Sequence, residues 1–161
     1  MNTPTSTEFV CVIDTNTLIG FALWHPFDFF SDFWIKLESA LQERKFVLLD
    51  VVEEEVKRHN IKLKEWLKKQ KDNDLVIKID DEVREKAVEI DSQYNMINQN
   101  SGNSEVDTYI VSYALLNNLG IFTRESPRRR NSELYKIPDV CNKFSIICIK
   151  NPDKFLTSIG Y

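Results

Sequence analysis

Four acidic residues, Asp14, Glu55, Asp107 and Glu125, stand where a folded chain could give them one shared chemical task. Asp14 ends the apolar run Phe9-Val10-Cys11-Val12-Ile13. An apolar run without alternation reads as a strand buried on both faces, as in parallel sheets. A carboxylate directly after it sits at the strand's carboxyl end, the edge where open α/β sheets bind ligands. Glu125 leaves a second such run, Ile121-Phe122-Thr123, just behind Arg124. Glu55 follows Val51 and Val52 at helical spacing, which leans it toward the apolar face. Asp107 precedes Ile110, Val111 and Ala114 on one helical stripe. Clustered carboxylates repel one another and persist mainly where they share a cation or a proton. An all-oxygen set without His or Cys favours Mg²⁺ or Mn²⁺. Such ions stabilise charge on a phosphoryl group and activate water. Each acid also has a plainer reading. Asp14 can cap the next helix, and Asp107 can close a Ser104-x-x-Asp capping box.

The elements that must position these acids alternate along the chain. Apolar runs predict five strands, at 9–13, 46–49, 75–79, 121–123 and 145–149, the third an edge strand because it carries Lys78. Helices are expected at 18–23, 31–44, from Asp50 through Val56, 61–71, from Asp80 or Asp81 to about Tyr94, from Ser104 to Asn118, at Ile137-Pro138-Asp139, and from Asn151 to about Ile159. Asp50 with Glu53 reads as a capping box, which leaves Glu55 as the acid free for chemistry. Gly120 reads as the stop past the end of the 104–118 helix. The alternation predicts an α/β fold with a mostly parallel sheet and helices on both faces. One domain is expected over residues 8–161, after a short polar tail at 1–7.

Composition narrows the function classes. The chain has 161 residues, 42% of them hydrophobic, with a net charge of −4. Its pI of about 5.3 argues against a broad basic nucleic-acid surface. Local basic groups exist all the same. Residues 57–71 hold seven Lys/Arg against the single acid Glu65, and Arg124, Arg128, Arg129 and Arg130 form a second group. The basic helix from Ile61 to Lys71 reads first as a solvated helix face and second as a substrate-binding face. No apolar run is long enough to span a bilayer, and the start has no secretory pattern, so a cytoplasmic protein without membrane contact is expected. Cys11, Cys141 and Cys148 lie among apolar residues and read as small buried hydrophobes rather than a disulfide frame.

Taken in order, Val12-Ile13-Asp14-Thr15-Asn16, Glu54-Glu55-Val56, Asp107-Thr108-Tyr109-Ile110-Val111-Ser112-Tyr113-Ala114 and Ile121-Phe122-Thr123-Arg124-Glu125 resemble the PIN-domain nuclease family (VapC-like). Lys136-Ile137-Pro138-Asp139-Val140-Cys141 resembles a less characterised PIN-like subgroup. The resemblance implies a single-domain three-layer α/β/α fold with strand order 3-2-1-4-5. It also implies hydrolysis of RNA phosphodiesters by a Mg²⁺- or Mn²⁺-dependent ribonuclease, with Asp14, Glu55, Asp107 and Glu125 as metal ligands. The family often has Asp where this chain has Glu125, and Asp139 stands as its supplement or replacement, or as an acid in the first turn of a helix. Thr15, Asn16 and Thr123 are expected to orient carboxylates or water. Arg124, Arg128, Arg129 and Arg130 are expected to hold RNA phosphates. An antitoxin partner and a homodimer belong to the same implied picture. The alternative is a catalytically inactive PIN-like module that binds RNA or protein.

Overall fold

The structure is a computed structural model that describes residues 10–160. The polar tail at 1–7, and the residues at 8, 9 and 161 of the expected domain, lie outside it. The fold is α/β. Strand β1 (Cys11–Ile13) leads into helix α1 (Thr15–Trp24) and α2 (Ser31–Gln42), then β2 (Phe46–Val47). A 3-10 turn at Asp50–Val52 opens α3 (Glu53–His59), followed by α4 (Ile61–Asp72) and α5 (Asp81–Gln93). Helix α6 (Glu105–Asn117) precedes β3 (Gly120–Phe122), α7 (Ile137–Phe144), β4 (Cys148–Ile149) and α8 (Pro152–Ser158).

The described sheet has four strands in the order β2-β1-β3-β4, every pair parallel. β1 lies in the middle and is wholly buried, which is why its sequence is apolar without alternation. Val12 faces Val47 on one side and Ile121 on the other. α6 rests on β1 and β3 and is flanked by α5 and α7. Phe21 of α1, Phe33 of α2, Phe122 of β3 and Phe155 of α8 form an aromatic cluster with ring centroids 5.0–5.9 Å apart. Such pairs add roughly 0.5–1.5 kcal/mol beyond burial. No helix among the described residues is long and apolar enough to cross a membrane.

Several expectations need correction. The expected five strands in order 3-2-1-4-5 are four in order 2-1-3-4. Residues 75–79 form no strand but a single parallel bridge, Leu49 with Ile77. The reason is the partner: β2 is two residues long and the chain turns into the 3-10 turn at Asp50, so little strand remains to pair with. Asp50 does not build a capping box with Glu53. Its carboxylate accepts from the Ile79 N–H (3.3 Å), while Glu53 pairs with Lys71 (2.9 Å). Helix α1 starts at Thr15, earlier than expected, because Asp14 caps it. The stop of α6 is Asn118, held in the left-handed conformation (φ 54°) that Asn tolerates, and Gly120 is already in β3. Ser104 does not cap α6 through its side chain, and it too is left-handed, at φ 73°. Cys11 and Cys141 are buried, Cys148 is half-buried, and all three are free thiols.

Candidate active site

Asp14 is 1% exposed and fixed from two sides. One oxygen accepts from the Thr17 N–H at 2.8 Å and so caps α1. The other accepts the hydroxyl of Thr123, which lies just past β3. The two readings of Asp14 are therefore not rivals, since the cap and the strand-end position use different oxygens. The Asp14 N–H donates to Phe122 O at 3.1 Å and continues the ladder past β1. Thr123 Oγ1 also accepts from the Glu125 N–H at 3.0 Å, and Glu125 in turn accepts from the Ile137 N–H at 3.3 Å. One threonine thus ties two of the four acids together.

Glu55, Asp107 and Glu125 line one cavity of about 510 Å³ together with Asn16, Arg58, His59 and the turn at 101–105. The four acids feel one another. Burial pushes the Asp107 carboxyl up to about 8, helped by the charges of Glu125, Asp14 and Glu55. Glu55 is raised by burial and by Asp14, against the opposing charges of His59 and Arg58. Glu125 is raised by burial and by Asp14, with the Ile137 N–H working the other way. Asp14 is raised by burial against its hydrogen bonds to Thr123 and Thr17. Four carboxyls displaced in one direction by burial, three of them also by the charge of their acidic neighbours, form an electrostatically strained group that a proton or cation relieves.

The donor set is all oxygen, which suits a hard divalent cation. Beside Asp14, the buried Thr15 hydroxyl has no hydrogen-bond partner. As placed, no three His, Cys, Asp or Glu residues among those described stand close enough to hold an ion. The acids share a field and a cavity wall rather than a finished coordination sphere.

The remaining sequence candidates divide sharply. Asn16 is exposed on the cavity wall. Asp139 is turned to its own helix start, where one oxygen accepts from the Arg128 N–H (3.0 Å) and the Lys136 N–H (2.9 Å). The Arg128 guanidinium lies 3.7 Å from the centre of the Tyr135 ring and donates to the carbonyls of Asn131 and Glu133, both at 3.1 Å. Arg129 and Arg130 are exposed on the same loop. Arg124 lines a second cavity next to the acidic one. Sequence reasoning passed over Arg58 and His59. Their signal was present, for they follow Glu55 by three and four residues on α3, the spacing at which helix side chains meet.

A single-sheet α/β fold with a carboxylate cluster at the carboxyl ends of its strands defines the class of this protein. Within that class the chain belongs to the family described as Domain of unknown function (DUF4411), whose model matches residues 11–158. No curated protein and no solved structure matches it.

Proposed function

We propose that this chain is a divalent-metal-dependent ribonuclease of three-layer, PIN-like architecture. The observation that carries the reading is the convergence of Asp14, Glu55, Asp107 and Glu125 from four separate segments, each carboxyl raised by burial and all but Asp14 raised also by the charge of neighbouring acids. Asp14, Asp107 and Glu55, with Glu125 at the fourth position, would hold Mg²⁺ or Mn²⁺. When bound, the ion supplies charge stabilisation at the phosphoryl group and a more acidic water. The chain's own residues set the stage for it. Thr17 and Thr123 fix both oxygens of Asp14, and the Ile137 N–H orients Glu125. Arg58 and His59 line the same cavity one helical turn from Glu55, and the Arg58 guanidinium brings positive charge there, to which a phosphate can be drawn. Supporting groups of this kind orient ligands and typically matter 10–100-fold.

The test is direct. The purified chain, incubated with a mixed RNA pool, should cut it with Mg²⁺ or Mn²⁺ and stop when a chelator is added. A chain that leaves RNA intact under every divalent ion tried would overturn the reading. The rival, an inactive module that binds through the same cavity, is favoured by one observation: the acids as placed do not close around an ion. Binding of RNA without cleavage would select it.

A further inference from the structure

Arg124 and Glu125 are consecutive, yet they line different cavities. Glu125 joins the acids. Arg124 turns into a space of about 410 Å³ walled by Gly20, Phe21, Trp24, Phe122 and Lys150. Asn16 in the acidic cavity and Gly20 in this one are four residues apart on α1, so the two spaces sit along one helix face.

Three features of the second cavity ask for a ligand. The first is Gly20. A Cβ there would meet Arg124 Nη1 at 2.0 Å and Cζ at 3.0 Å, so the missing side chain is what lets the guanidinium come this close to α1. The second is charge. Among the described residues neither the Arg124 nor the Lys150 side chain forms a hydrogen bond or an ion pair, the Arg124 charge reaching Asp14 only through its field, and both line the same space. The third is Trp24, the last residue of α1, which is 68% exposed and lines the cavity together with the buried Phe21 and Phe122. Two unpaired cations call for an anion, and an exposed aromatic ring calls for a flat apolar body. The size is that of a small-ligand cleft.

We propose that the Gly20–Trp24–Arg124–Lys150 cavity seats one nucleotide of a single-stranded substrate, its base against Trp24 and its phosphate on Arg124 and Lys150. The proposal rests on the ribonuclease reading of the adjoining cavity and makes this nucleotide the neighbour of the bond that is cut. Stacking on an aromatic face tolerates any base, so the seat selects for unpaired strand rather than for sequence.

The experiment uses the full chain in chelator, followed by tryptophan fluorescence. Trp34 and Trp66 are buried, at 4% and 7% exposed, so ligand-dependent quenching reports on Trp24. A nucleoside 5′-monophosphate should quench saturably and bind about tenfold or more tighter than the bare nucleoside or inorganic phosphate. Arg124→Gln and Gly20→Ala should each weaken it by about tenfold, the second by displacing the guanidinium. Trp24→Leu, at an exposed site that spares the fold, should raise KM for RNA more than it lowers kcat. Absent saturation, or binding indifferent to Arg124→Gln, overturns the seat. If the chain cuts RNA and Trp24→Leu and Arg124→Gln leave KM unchanged, the seat is wrong and the nuclease stands. If nucleotide binds as described and RNA is never cut, the seat stands and the nuclease is wrong.

Discussion

Two charged regions meet the chain as it leaves β3, and they treat their charges in opposite ways. In the 126–139 loop Asp139 and Arg128 have local partners, while Arg129 and Arg130 are exposed to solvent. Asp139 takes two backbone N–H groups, and Arg128 is stacked on Tyr135 and donates to two carbonyls. In the acidic cavity Glu55, Asp107 and Glu125 face one another with far too few donors, and their carboxyls rise accordingly. Both regions contain acids and arginines in sequence. The difference is satisfaction. A charge held by its own loop builds the loop, whereas a charge left against its like is kept for something that arrives from outside.

The sharpest way to break this contrast is to exchange carboxylate for amide on each side. Asp14→Asn should lower metal-dependent RNA cleavage by more than about 100-fold, beyond the usual effect of losing a supporting group. The fold should survive, because Asn caps a helix nearly as well as Asp. Cleavage at wild-type rate in this variant would remove the acids from the chemistry. The matching change in the loop, Asp139→Ala, should act on stability instead. Losing the acceptor for two N–H groups costs about 1–2 kcal/mol, or a fall in Tm of roughly 2–4 °C per kcal/mol for a chain of this size. Its cleavage should fall far less than that of Asp14→Asn.

The pH dependence sharpens the same comparison. The Asp107 carboxyl sits at about 8, against an ordinary value of 3.8. Between those values the folded chain keeps a proton that the unfolded chain has released, so stability declines as pH rises through the window. The Tm of the metal-free chain should therefore fall from about pH 5 to about pH 8. Asp107→Asn should flatten that slope, and Mg²⁺ should restore Tm most at the upper end. An equal slope in the variant would place the strain elsewhere. The smallest effect is expected on α4. Lys69 already pairs with Glu38 at 3.2 Å, and Lys64 and Lys68 lie on the same helix. Replacing Lys64, Lys68 and Lys69 by alanine should change stability by no more than about 0.5 kcal/mol per site and barely move the salt dependence of RNA binding. A large loss of binding would put substrate on that face.

Much of the site could be read before the structure, because burial writes itself into spacing. The unbroken apolar run before Asp14 and the helical offsets of Glu55 and Asp107 each report one face of one element. What could not be read depended on long-range partners. Nothing local to Asp139 says that its carboxylate will meet the Arg128 N–H eleven residues back. Nothing in 75–79 says that β2 will be too short to pair with it. Asp50 looked like a cap until Ile79, twenty-nine residues away, supplied the donor. Backbone turns such as left-handed Ser104 were equally silent, since serine rarely marks that conformation.

The single bridge between Leu49 and Ile77 has a consequence for how this molecule behaves in a crowded solution. The outer edge of a sheet is a template on which a foreign strand can add, and repeated addition leads to aggregates. Here that edge offers only two residues of regular strand before it is met by Ile77, whose N–H and carbonyl are taken by Leu48 and Asp50 at 2.8 Å each. Lys78, exposed next to it, sets a charge where an incoming chain would have to lie. The segment that fails as a strand serves as a guard, and removing Lys78 should make the chain stickier without making it less stable.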